Sequence, residues 1–256
     1  AVFGEQPQPI KMALLQRVLL LINDPDADIV STYRAGVPIG VGVDMPRADK
    51  IFPEKTKWSL KEQPDWGGAN DRSEAFTGTW RSNYPSIEKY AEDVVRTLRE
   101  QASRGQILVM SEADAVKTYT TRLAVASLAA LEKGTNSAGQ TEVRIIHDGT
   151  NGVDVNRYIK VRDATLCPVA ADVKRMLRHQ LERERPHIGM TVDVREAHRL
   201  VAVRSDDWPL QACQVRPGGD VFINKVGTYG AGPAGYYRSR FAAAGIVRMS
   251  HYLVGK

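Results

Sequence analysis

The sequence predicts an α+β protein in which helices come first and antiparallel strands, with helices packed on them, follow. Three observations predict it. Up to about residue 120 the patterned segments have helical spacing, most clearly over Pro85–Arg104. From Leu123 onward, short apolar runs alternate with turn-forming stretches. The 256 residues are 43% hydrophobic and 25% charged, which suits a folded chain with a sizeable core and excludes wholesale disorder.

Ile10–Ile22 reads as a helix with a broad apolar face. Its longest apolar run, Met12 to Ile22, is broken by Gln16 and Arg17 and is too short to span a bilayer, so no membrane partner is expected. Residues 36–82, rich in Gly, Pro and Trp, show no period and read as an irregular, extended arm. In Pro85–Arg104, Ser86 is placed as N-cap, Ile87, Tyr90, Ala91, Val94, Val95 and Leu98 share a face, and Gly105 ends the helix. Ser111 and Asp114 have capping-box spacing at the head of a short helix reaching Tyr119. Leu123–Leu131 and Glu142–His147, joined through Gly134–Gln140, read as a hairpin; the alanines leave helix open for the first arm. A helix over Pro168–Arg185 and a strand over Gly189–Val194 follow, then a turn through Glu196 and His198. Strands are expected at Leu200–Arg204, Leu210–Val215 and Val221–Val226. The turn Gly227–Gly235 then leads into a helix from about Tyr236 to Val247.

The net charge of +5 is unevenly spread. From Val221 to the end stand Lys225, Arg238, Arg240, Arg248 and Lys256 with no acidic residue, and the rest of the chain balances to zero. Arg157–Arg185 forms a second basic stretch. Localised positive charge suits a polyanion such as nucleic acid or a nucleotide; a solvated helix face is the alternative. Cys167 and Cys213 exclude a disulfide framework and a cysteine-only zinc site. With no secretory signal in view, an intracellular, reducing location is expected, nuclear or cytoplasmic unresolved.

Two segments carry chemistry. Asp193 ends an apolar strand, where a carboxylate must find a cation or a donor; it either binds Mg²⁺ or caps the turn at Glu196. Gly230–Gly235 spells GxGxxG between an expected strand and helix, the context of a dinucleotide site. No acidic residue follows to hold a ribose, so dinucleotide binding is a minor alternative.

In order, the segments from about Arg122 resemble the fingers and palm of reverse transcriptases, most like those of retrotransposons. Leu123–Lys133 with Glu142–Asp148 resembles the fingers hairpin, carrying a Lys on one arm and an Arg on the other. Asp148 and Asn156 match the Asp…Asn at the hairpin exit. Thr191–His198 resembles the first palm motif, an Asp on a strand with Ala four residues later. Val226–Arg240 is similar to the next, a glycine turn entering a helix. The resemblance implies an upstream region (1–121), fingers (122–188) and a partial palm (189–256). It also implies nucleotidyl transfer between two Mg²⁺ ions, with template-primer and deoxynucleoside triphosphates as partners.

By the same resemblance, Asp193 bridges both ions and the Val194 carbonyl adds a ligand. Lys133 and Arg144 neutralise the triphosphate. His198 lies beneath the sugar, where the family usually has an aromatic. Gly230 admits a close approach of template or incoming base, and Arg238 and Arg240 contact template or primer phosphates. Each has a plainer alternative: Lys133 as a turn lysine, Arg144 paired with Glu142, His198 packed in its turn, and Tyr236 and Tyr237 as core aromatics.

The family's further motif, an Asp-Asp on a tight hairpin after the glycine-turn helix, is missing. Asp206–Asp207, beside Pro209, reads as a turn. One carboxylate cannot hold two Mg²⁺ ions about 4 Å apart. The expectation is therefore a fragment lacking the rest of the palm and the thumb and inactive alone, or a non-catalytic nucleic-acid-binding remnant.

Overall fold

A computed structural model describes residues 11–56, 79–151, 153–165, 169–183, 194–242 and 247–254. The chain is α+β. Helices α1 (Met12–Leu21) and α2 (Ile29–Ala35) lead to a short strand β1 (Thr79–Trp80), the long helix α3 (Pro85–Ser103), β2 (Ile107–Met110) and α4 (Glu112–Tyr119). The hairpin β3 (Ala124–Thr135) and β4 (Thr141–Asp148) follows, then α5 (Ala170–Arg183), β5 (Ala212–Gln214), β6 (Val221–Asn224), α6 (Gly232–Phe241) and α7 (Met249–Val254). No helix among the described residues is long and apolar enough to cross a membrane.

The sheet is mixed, which corrects the antiparallel expectation. Its order is β1-β3-β5-β6-β2, with β3 parallel to both β1 and β5, and β6 antiparallel to both β5 and β2. The parallel pairs span only two residues each, Thr79–Trp80 on Ala124–Val125 and Val125–Ala126 on Ala212–Cys213. Contacts that short, joined by long crossovers, leave no periodicity to read. Beyond them β3 leaves the sheet as a hairpin with β4, antiparallel from Ser127↔Asp148 to Thr135↔Thr141.

Helix α3 covers one face. Ile87, Ala91, Val94 and Leu98 pack with Leu128, Ala130, Val143, Cys213 and Phe222. Pro85 opens the helix and Tyr84 is its N-cap; the Ser86 hydroxyl instead accepts from the Ala130 amide at 3.1 Å, tying helix to strand. Gly105, at φ +73°, ends the helix as its sequence predicts. Ser111 caps α4 by accepting from the Asp114 amide.

A second core joins α1, α2, residues 37–45 and α6. The described part of the expected arm is irregular but not extended: Val37, Ile39, Val41, Met45 and Ala48 are all buried. Ionic and polar bonds fasten it. Arg240 bonds both carboxylate oxygens of Asp26 and the carbonyls of Pro46 and Arg47. Arg248 grips Asp24 at 2.6 and 2.8 Å. Asp163 accepts from the Ala48 amide, Arg47 and the Tyr236 hydroxyl.

Other expectations shift. Leu200–Arg204 is not a strand and supplies only the bridges Ala202↔Val226 and Val203↔Val37. Helix α6 begins at Gly232, four residues before the expected start. Of the expected strand 189–194 only Val194 is described, and it is not in a strand.

Gly230 is where hairpin and glycine turn cross. Its φ is +99°, and a Cβ there would stand 1.9 Å from the His147 carbonyl oxygen. Gly230→Ala should therefore cost about 3 kcal/mol or more, backbone strain plus a clash with main chain. Gly139→Ala, at φ +76° but in open space, isolates the strain alone at about 1 kcal/mol. Urea unfolding of the two variants measures the difference; equal losses would refute the crossing.

Candidate nucleotide and nucleic-acid interface

A cleft of about 810 Å³ opens between the β3–β4 hairpin, α3, the turn at 194–199, residues 228–229 and the Arg238 side of α6. Lys133, Arg144, Val194, His198 and Arg238 all line it. The hairpin register sets Leu131 opposite Arg144, and a bulge between Glu132 and Gly134 holds Lys133. His198 comes from the 3-10 turn Ala197–Leu200, entered through Glu196 at φ +50°, and Arg238 from the exposed side of α6.

Tyr229 organises these groups. Its ring centroid lies 4.6 Å from that of His198, with the planes at 52°. The Arg144 guanidinium carbon lies 5.6 Å from the Tyr229 centroid, a cation–π distance. The Tyr229 carbonyl accepts from the His147 amide at 2.9 Å, so the hairpin and the glycine turn form one wall.

The cleft is electropositive. Arg96, Arg104 and Arg195 join Lys133, Arg144 and Arg238 along it, against Glu100, Glu142 and Glu196. Arg96 and Arg104 are paired with acidic neighbours. Among the described residues no ion pair forms at Lys133, Arg144, Arg195 or Arg238, so the Arg144–Glu142 alternative is not realised. Cations held together without counter-ions raise a field that attracts a polyanion.

Burial, then the Arg238 charge, lowers the His198 pKa. His147 is fully enclosed; its Nε2 donates to the Ala212 carbonyl at 3.1 Å, and burial lowers its pKa. Burial pushes the Cys213 thiol up to about 12, so it is not a nucleophile at neutral pH.

Two expected site residues, Arg240 and Gly230, serve otherwise than expected, and a third is not described. Asp193 lies outside the described residues. Arg240, expected on phosphates, is only 3% exposed and committed to Asp26. Gly230 does admit a close approach, but of the His147 backbone rather than of a base. Tyr236 and Tyr237 are core residues, 5% and 1% exposed. Asp207 is fully buried and takes bonds from Arg204 and the Ile39 amide, as a turn carboxylate would. Among the described residues no group of three His, Cys, Asp or Glu could hold a metal ion, so no Mg²⁺-dependent step is derived from them.

The GxGxxG amides are largely engaged. Gly232 N–H donates to Asn156 Oδ1 at 2.8 Å, and the amides of Ala231 and Ala234 donate to Thr228 and Ala231 carbonyls. Asn156 also donates to the Gly230 carbonyl at 2.7 Å and to Thr150. Asp148 accepts from Tyr84 and from the amides of Thr150 and Asn151, so this Asp…Asn pair braces the hairpin exit.

Sequence reasoning missed Tyr229 and Arg199. Tyr229 had one signal, an aromatic beside the glycine of a turn; Arg199 had none, since its neighbours in space come from residues 101 and 224.

No known protein family matches the chain, and no curated protein matches it either.

The depressed His147 pKa gives a pH dependence of stability. Above the unfolded-state value near 6.5 both states are neutral and the stability is fully present. As pH falls below it, the unfolded chain takes a proton that the folded ring resists, and stability is lost by at most about 1.4 kcal/mol per pH unit per histidine. His198 acts in the same direction. Urea unfolding between about pH 7 and pH 5 should show this slope, reduced in His147→Gln. An unchanged slope in that variant would refute the assignment.

Proposed function

We propose that the chain is a nucleotide- and nucleic-acid-binding unit, the fingers and front of the palm of an RNA-directed DNA polymerase of the retrotransposon kind. One observation carries the reading. Five residues singled out through the ordered motifs, at positions 133, 144, 194, 198 and 238, line a single basic cleft.

In this reading Lys133 meets the ligand's phosphates as a mobile point charge, and Arg144 meets them as a fork steadied by the Tyr229 face. His198 and Tyr229 form an aromatic wall against which a base or sugar packs. Arg238 extends the positive track along α6 toward template or primer. In this reading Asp193 and the Val194 carbonyl would hold Mg²⁺, and a two-ion site would need carboxylates in addition to Asp193. By themselves these residues bind and do not extend a primer. A non-catalytic binding protein uses the same cleft and differs only in lacking those further carboxylates.

Fluorescence anisotropy with a labelled RNA–DNA hybrid tests the reading. Affinity should fall steeply between about 50 and 200 mM salt. Lys133→Ala, Arg144→Ala and Arg238→Ala should each weaken binding and flatten the log–log salt slope by roughly 0.7 to 0.9. Binding that ignores salt, or three variants indistinguishable from the parent chain, would overturn the proposal.

A further inference from the structure

We infer that Arg199 is a positioning residue: its enclosed guanidinium fork ties the 196–200 turn to the end of α3 and to β6, and so holds the His198 ring in the cleft. The inference rests on the reading of the cleft as a binding site and adds the residue that sets one of its walls.

The turn is held from outside. It is entered through Glu196 at φ +50°, a left-handed backbone that a residue with a side chain keeps only where its surroundings impose it. Among the described residues the His198 ring makes no hydrogen bond, and it rests on the Tyr229 ring with centroids 4.6 Å apart. The place of that ring is therefore decided by its backbone. The ion pair Arg104–Glu196, at 3.2 Å, is open to solvent on both sides and holds the turn weakly.

Arg199, the next residue, is turned inward and only 5% exposed. One terminal nitrogen donates to Asn224 Oδ1 at 2.7 Å, at the end of β6. The other donates to Gln101 Oε1 at 2.9 Å, in the last turn of α3. Asn224 is itself fixed: its Nδ2 donates to the Gln211 carbonyl at 2.9 Å, and Gln211 Nε2 donates back to the Asn224 carbonyl at 3.3 Å. Two donors in one rigid plane thus set the turn against a helix and a strand at once, which the point charge of a lysine does not. The Arg199 amide carries the constraint along the chain by donating to the Glu196 carbonyl at 2.7 Å. Both side-chain acceptors are neutral amides, and among the described residues no ion pair forms at Arg199. A buried guanidinium without a carboxylate stabilises a fold no better than an apolar side chain of its size. What the fork adds is a single orientation of the turn.

Nuclear magnetic resonance of the 256-residue chain tests this. Rings at the observed separation give a cross-relaxation peak between His198 and Tyr229, identified by its loss in His198→Gln. Gln101→Ala keeps every charge and removes one of the two bonds, and it should weaken that peak. Arg199→Met should abolish it, and Arg199→Lys should recover part of it. Thermal melting is followed beside it, because a residue that only stabilises lowers Tm and leaves the peak intact in the folded chain. That outcome in Gln101→Ala and Arg199→Met overturns the inference, and if Arg199→Met does not fold, Gln101→Ala decides alone. With the labelled RNA–DNA hybrid, Arg199→Met should weaken binding several-fold through the displaced ring and leave the salt slope unchanged. A residue that touches phosphate flattens that slope by roughly 0.7 to 0.9, and such a change would make Arg199 a phosphate ligand and overturn the positioning role. A parent chain that shows the peak but binds no hybrid overturns the polymerase reading, while the peak in the variants still decides the role of Arg199.

Discussion

The cleft depends on one backbone crossing. Gly230 passes so close to the His147 carbonyl that no side chain fits between them, while the Tyr229 carbonyl takes the His147 amide hydrogen. The crossing joins two segments more than eighty positions apart, and it fixes what flanks each. On the hairpin side it sets the height of Arg144, three residues before His147. On the other side it aims the Tyr229 ring, against which both Arg144 and His198 rest. Gly227 repeats the device against the His198 carbonyl, where an added Cβ would come to 2.8 Å. The glycines of this turn serve close packing of main chain on main chain, and the aromatic between them becomes the wall of the cleft.

Charge is handled in opposite ways on the two sides of that wall. In the core formed with α1 and α2, arginines meet carboxylates in bidentate pairs, Arg240 on Asp26 and Arg248 on Asp24. In the cleft, Lys133, Arg144, Arg195 and Arg238 stand without such partners among the described residues. Exposed and unpaired, these cations keep their field at the protein surface instead of cancelling it within the core.

Much of the local structure was legible in the sequence. The apolar face of Pro85–Ser103, its end at Gly105, the Ser111 cap and the β3–β4 hairpin each follow from interactions within a few residues or from a strong period. The parallel pairing of β1, β3 and β5 was not legible, because two-residue contacts across long crossovers leave no pattern. Residues 36–56 lack a period and read as an arm, yet Val37, Ile39, Val41, Met45 and Ala48 among them are buried. Their order comes from distant partners: the Ile39 amide on Asp207, the Ala48 amide on Asp163, and the Pro46 carbonyl on Tyr236 and Arg240. At the site, segments singled out by the ordered motifs line one cleft in the structure. Arg199 stayed invisible because nothing in its own neighbourhood of sequence shows that it is enclosed without a counter-ion.

Arg238 and Arg240 show why a run of charge misplaces a surface. The resemblance assigns both to phosphates, on the helix that follows the glycine turn, in a last segment that is basic and contains no acid. Residues two apart on a helix point roughly 200° from one another, so both cannot face one ligand. Arg238 takes the cleft side and Arg240 the core side of α6. The core arginine then draws Asp26, and Arg248 draws Asp24, from a region whose charges balance in sequence. Folding thus spends the C-terminal excess on N-terminal carboxylates. Net charge is conserved, so the positive surplus must emerge elsewhere, and it does so at the cleft, on cations contributed by the hairpin, the 194–199 turn and α6. The basic tail of the sequence and the basic face of the protein are different sets of residues, with Arg238 belonging to both.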